Sequence, residues 1–227
     1  MINQEMPETR HFEVAANPTL ILNNETGSIH VRAGPSGNDV SIQATKYSGL
    51  WGSPNDIRVS YTQNTEANTI TVNVDRQSHV FDWGKVNFDV TIPSTATLQL
   101  KTTTGSIDVS GVSGEMLLSC NSGSIEASDG TVSGNTQLIT HSGSVTFTGA
   151  IDRSGSYRFE TTSGSVNVTL PSESVFHVEA STMTGSIRTN FPGVTVQHHH
   201  AVGDVGSSPQ ATISLRAVTG SIKLYQR

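Results

Sequence analysis

The sequence predicts an all-β chain: a β-solenoid (a β-helix or β-roll) with two facing sheets, coils of about 20 residues, and longer, irregular coils in its N-terminal half. Three observations predict it. The phrase Ser/Thr-Gly-Ser-Ile/Val recurs seven times, at Gly27, Gly105, Gly123, Gly143, Gly164, Gly185 and Gly220, with spacings of 78, 18, 20, 21, 21 and 35 residues. Apolar residues alternate with polar ones on both sides of these glycines. The 30 serines and 28 threonines make up about a quarter of the 227 residues, and 22 valines and 14 isoleucines outnumber 11 leucines. That bias suits strands rather than helices.

The first copy of the phrase has Leu20 and Leu22 before the glycine and Ile29 and Val31 after it. The long gap that follows breaks the period. Within it Asp39–Lys46, Ile57–Tyr61, Thr69–Val74 and Lys85–Ile92 alternate like strands, separated by turn-rich segments at 34–37 and 52–55. They read as longer coils or hairpins that continue the same sheets. From Gly105 onward the pattern is regular. Five residues before each glycine stand Leu100, Leu118, Leu138, Phe159, Ala180 and Leu215; two residues after stand Ile107, Ile125, Val145, Val166, Ile187 and Ile222. Period-two alternation on both sides of a glycine describes strand, corner, strand.

A unit of this size cannot bury its apolar face alone. Stacking successive units ~4.8 Å apart sets like residues over like and encloses a thin core. Glycine suits the corner because it adopts positive φ without cost from a side chain. The hydroxyls beside it can bond to the backbone and to one another between coils. Residues 1–227 read as a single domain, with longer irregular coils over 1–95 and regular repeats over 96–227, interrupted near 193–209 by a Gly-, His- and Ser-rich surface loop.

The net charge is −6, with 19 acidic and 13 basic residues and only four lysines. Without a basic stripe, binding to nucleic acid and to acidic membranes is disfavoured. The N-terminal MINQEMPETR lacks the layout of a signal peptide, and no stretch approaches the ~20 apolar residues of a membrane helix, so no insertion into a membrane is expected of this chain and its location is undetermined. One cysteine, Cys120, allows no internal disulfide.

Few residues carry a chemical signal. Asp108 and Glu126 hold equivalent positions in adjacent coils and should stack on one outer face, a spacing that glycoside-cleaving carboxylates use. The column continues through Thr146, Asn167 and Arg188, which fits a solvated face better. Calcium would need carboxylates at the corners, where serine stands instead. His198, His199 and His200 are consecutive and make a poor fixed metal site; His79, His141 and His177 are scattered. Ser122 and Ser124 are corner residues with no helix behind them for a nucleophile elbow. Cys120 falls in an inward column with Thr102, Thr140 and Thr161 and reads as a small buried filler. The reading therefore includes no catalytic residue, no metal and no cofactor. The best candidate contact surface is aromatic: Tyr47, Trp51, Phe81 and Trp83 lie in or beside glycine-bounded turns, near Asn55, Asp56 and Asp82, and would either hold a sugar or protein partner or cap the end of the stack.

Several segments carry a family resemblance: Thr26-Gly27-Ser28-Ile29-His30-Val31, Val90-Thr91-Ile92-Pro93, Val168-Thr169-Leu170-Pro171, and the closing Thr219-Gly220-Ser221-Ile222-Lys223-Leu224. With the serial phrases between them, the chain resembles the bacterial and archaeal adhesin-like family DUF4097 from about Phe12 to Tyr225. That family often has an acidic residue after the glycine, where this chain has serine, which argues against cations at the corners. The resemblance implies a β-helical fold, no established activity, no catalytic residues, and a place at the cell surface. The expectation is thus a non-enzymatic scaffold that presents a surface to protein or carbohydrate. The alternatives are a polysaccharide-acting β-helix enzyme, and an intracellular assembly or regulatory module that self-associates through a sheet edge.

Overall fold

The computed structural model describes residues 4–35, 37–48, 53–76 and 84–227. Among these there is no α-helix, only a single 3-10 turn at Pro54–Asp56 capped by Ser53. The N-terminal part contains β1 (Gln4–Glu13), β2 (Thr19–Thr26), β3 (Ile29–Ala33), β4 (Asp39–Ser48), β5 (Ile57–Asn64), β6 (Thr69–Arg76) and β7 (Lys85–Ile92). The middle contains β8 (Thr97–Thr104), β9 (Ile107–Ser110), β10 (Met116–Ser122), β11 (Ile125–Ser142), β12 (Val145–Ser163) and β13 (Val166–Leu170). The C-terminal part contains β14 (Phe176–Thr184), β15 (Ile187–Thr189), β16 (Val194–Gln197), β17 (His200–Val205), β18 (Gln210–Thr219) and β19 (Ile222–Gln226). All belong to one hydrogen-bonded sheet that wraps, nearly closed, around a single core.

Each glycine phrase divides a unit into a strand before the corner and a strand after it. The strands before the corners pair side by side in the order β6, β2, β8, β10, β11, β12, β18, β14, all parallel. Those after the corners pair in the order β7, β3, β9, β11, β12, β13, β19, β15, also parallel. β11 and β12 run through both rows, with register shifts at Ser128–Thr131 and Val132–Gly134 where they turn. The predicted inward columns are buried, among them Leu100, Leu118, Leu138, Phe159 and Leu215 before the corners and Ile107, Ile125, Val145, Val166 and Ile222 after them.

The corner is set by a close approach of backbones. At Gly143, φ is +139°, and an added Cβ would lie 2.2 Å from the Gly123 carbonyl oxygen. The glycine carbonyl turns inward, where a buried hydroxyl meets it. Thr102, Thr140, Thr161 and Thr182 donate to the carbonyls of Gly27, Gly123, Gly143 and Gly220 at 3.1, 2.8, 2.7 and 2.9 Å. Outside the corner the serines form their own ladder: Ser124 Oγ accepts from Ser144 N at 3.1 Å, and Ser144 Oγ from Ser165 N at 3.2 Å.

Three expectations change. The units do not stack in chain order. The last unit, β18–β19, lies between β12–β13 and β14–β15, and the first, β2–β3, lies between β6–β7 and β8–β9. Both are thereby hydrogen-bonded on two sides, while antiparallel strands flank the end strands β6, β7 and β14. Second, the segment read as a surface loop near 193–209 is a hairpin, β16–β17, laid antiparallel on β14. Its turn uses a left-handed His198 (φ +53°), and Ala201 and Val205 face the core. Third, β1 was not expected as a strand; it pairs antiparallel with β4 along its whole length.

Candidate functional site

The strands before the corners carry outward side chains in continuous ladders. One runs Gln137, Arg158, Ser214, Glu179, Val202; its neighbour runs Ile139, Glu160, Arg216, Ser181, His200. Each ladder has one serine set among longer side chains. Ser214 lies between Arg158 and Glu179, and Ser181 lies between Arg216 and His200. Short side chains surrounded by long ones hollow out an otherwise flat face, and the cavity measures about 420 Å³.

The charges in this hollow are unequally engaged. Arg158 and Glu160 form a two-point pair on one strand, with Nη2 donating to Oε2 at 2.9 Å and Nε lying 2.8 Å from Oε1. That contact holds the Arg158 guanidinium above its ordinary pKa. Among the described residues, Arg216 and Glu179 have no side-chain partner. Beside the hollow, His177 Nδ1 lies 2.6 Å from Asp204 Oδ1, which links β14 to the added hairpin.

The other outward face holds the predicted carboxylates. Asp108 and Glu126 are direct neighbours across β9 and β11, as the repeat implied. The column extends from Asp89 through His30 to Asp108 and Glu126, then through Thr146, Asn167 and Lys223 to Arg188. His30 Nδ1 is 3.7 Å from Asp108 Oδ2, and Arg32 Nη2 is 3.8 Å from Asp89 Oδ1. Asp108 is half exposed and Glu126 exposed.

Cys120 is buried, its Sγ donating to the Gly105 carbonyl at 2.9 Å in the place the column's threonine hydroxyls occupy; burial pushes the thiol pKa up. His198, His199 and His200 are exposed around the hairpin turn, and His200 reaches the hollow. Among the described residues, no three His, Cys, Asp or Glu side chains converge to hold a metal. His141 lies beside Cys120 on the outer face; His79 falls outside the described residues. Of the aromatic candidates, Trp51, Phe81 and Trp83 also fall outside them. Tyr47 is half-buried, with its hydroxyl 3.4 Å from Glu5 Oε1 and Lys85 Nζ 4.9 Å from its ring centre. Burial, then the Glu5 carboxylate, raises its pKa. The hollow around Ser214 was not expected from the sequence.

No family profile matches this chain, and no curated protein matches it. Among solved structures, a candidate cell adhesion protein from Clostridium sporogenes is similar at a TM-score of 0.50 and 13% identity, over 99% of this chain and 100% of its own. That likeness shows a shared fold along the whole length. A candidate adhesin from Bacteroides fragilis covers 96% of this chain and 97% of its own, at TM-score 0.34 and 11% identity. Another, from Parabacteroides distasonis, covers 98% and 97%, at TM-score 0.34 and 9% identity.

Proposed function

We propose that the chain is a non-enzymatic, adhesin-like β-solenoid of the DUF4097 kind, one domain whose outer face makes contact with protein or carbohydrate at a cell surface. The observation that carries this reading is the pair of in-register outward ladders through Ser214 and Arg216. They array polar and charged side chains at the strand spacing of ~4.8 Å and leave two charges unengaged. The whole-length likeness to a candidate cell adhesion protein agrees with it. Tyr47, Trp51, Phe81 and Trp83 are a second proposed contact region. The reading is tested by presenting the intact chain to a glycan array and to candidate protein ligands. The expected result is saturable retention without cleavage. Release of shortened saccharide that stops in an Asp108→Asn/Glu126→Gln double variant would favour the polysaccharide-acting alternative.

Self-association is the second reading. Among the described residues, β1, β5, β15 and β16 pair on one side only, and such edges recruit strands. Dimers or longer species in size-exclusion chromatography, lost on introducing proline into β16, would support it.

A further inference from the structure

We propose that the hollow over Ser181 and Ser214 is a binding site for a carboxylate-bearing saccharide, with Arg216 taking the carboxylate and Glu179 the sugar hydroxyls. This rests on the reading of the outer face as a contact surface and names what that face holds.

The argument starts from the register. Had the units stacked in chain order, β14 would lie directly on β12 and Glu179 would stand next to Arg158. Insertion of β18 places Ser214 between them and brings Arg216 into the adjacent ladder. Arg158 is already neutralised by Glu160 through two contacts. Arg216 therefore offers a free guanidinium fork beside an open volume, and such a fork takes a carboxylate in two parallel hydrogen bonds.

Glu179 limits the ligand further. It lies diagonal to Arg216, two residues before Ser181 on the neighbouring strand. On parallel strands ~4.8 Å apart, with ~6.6 Å of rise over two residues, such positions are ~8 Å apart, so one small molecule can touch both groups. A carboxylate accepts hydrogen bonds only, so it repels a simple anion and favours a ligand that also brings hydroxyl donors. The serine floor offers hydroxyls that both donate and accept. A hydroxylated acid satisfies all three. The volume of about 420 Å³ falls within the range of small-ligand sites, ~300–1,000 Å³. Its walls are mostly polar and no Phe, Tyr or Trp lines it, so the large apolar anchor that an extended peptide needs is missing.

The test compares trigalacturonate with its methyl ester, which keeps the hydroxyls and removes the charge, by ligand-observed NMR on the full chain at low salt. The acid should bind about tenfold more tightly than the ester, a difference of about 1.4 kcal/mol. Arg216→Gln should abolish that preference, Glu179→Gln should weaken both ligands, and Arg188→Gln, on the other face, should change neither. Equal binding of acid and ester, or undiminished preference in Arg216→Gln, overturns the proposal. So does tighter binding of a short acidic peptide, which would assign the hollow to protein. If the hollow fails while the chain still retains a ligand on the array, the broader surface reading stands. An array that retains nothing removes that reading.

Discussion

Lys46 Nζ sits 3.1 Å from Glu8 Oε2, where the lysine side chain is only 7% exposed. It is a buried charge at the end of the core, and Glu8 is its carboxylate. Arg10 also reaches Glu8, at 3.0 Å, and lies over the Tyr61 ring. Glu8→Gln leaves Lys46 buried without a counter-charge. A loss of about 1–3 kcal/mol is expected in chemical denaturation, at the lower end of buried-pair values because Glu8 is partly exposed.

The same pair sets a pH dependence. Burial pushes the Glu8 carboxyl up, but hydrogen bonds from Lys46 and Arg10, with their charges, outweigh it and leave its pKa below the ordinary value. A carboxyl depressed on folding contributes stability that is fully present above its unfolded pKa, about 4.3, and is lost as pH falls through the lower folded value. The stability gap between the wild type and Glu8→Gln should therefore be constant above about pH 5 and narrow in acid. A gap that stays constant into acid would show that Glu8 does not titrate in this way.

The inward glycine carbonyls make the threonine column more than filler. Thr161→Val removes a 2.7 Å hydrogen bond to Gly143 O and should cost about 1–2 kcal/mol. Cys120→Thr restores the residue its neighbours Thr102 and Thr140 carry and should be neutral or raise Tm. Cys120→Val should lower it, because the Gly105 carbonyl loses its donor.

Gly143→Ala combines a left-handed backbone with a Cβ 2.2 Å from the Gly123 oxygen. About 3 kcal/mol or more of destabilisation is expected. Circular dichroism melting would measure it, and a near-wild-type melt would mean that the corner can open.

Tyr157 is fully buried, and its hydroxyl lies 3.2, 3.1 and 3.3 Å from the carbonyls of Val132, Asp152 and Ser154. Tyr157→Phe should cost about 1–2 kcal/mol without altering the fold.

The glycine corners, the alternating columns and the strands at 39–46, 57–61, 69–74 and 85–92 were legible because each writes its environment into its own residues. The order of the units was not. Every unit carries the same phrase, so nothing in β18 says whether β12 or β14 is its neighbour. β1 hid for a different reason: its inner face carries Glu8 and Arg10 with Met6 and Phe12, so the alternation is masked by the polar pair that closes the end. The hollow combines residues of β12, β14, β17 and β18, and it exists only in the actual order. No local pattern in Arg158, Glu179 or Arg216 announces it.

The insertion of the last unit also affects how the chain assembles. Among the described residues, β14, β15 and the hairpin β16–β17 connect to the rest of the sheet only through β18 and β19. Residues 176–205 therefore leave the ribosome before the strands that will join them to the body, and must wait with open backbone edges until 210–226 arrive. The final strands act as a keystone. A chain cut after residue 209 loses the anchorage of the thirty residues before the cut as well as its own last strands.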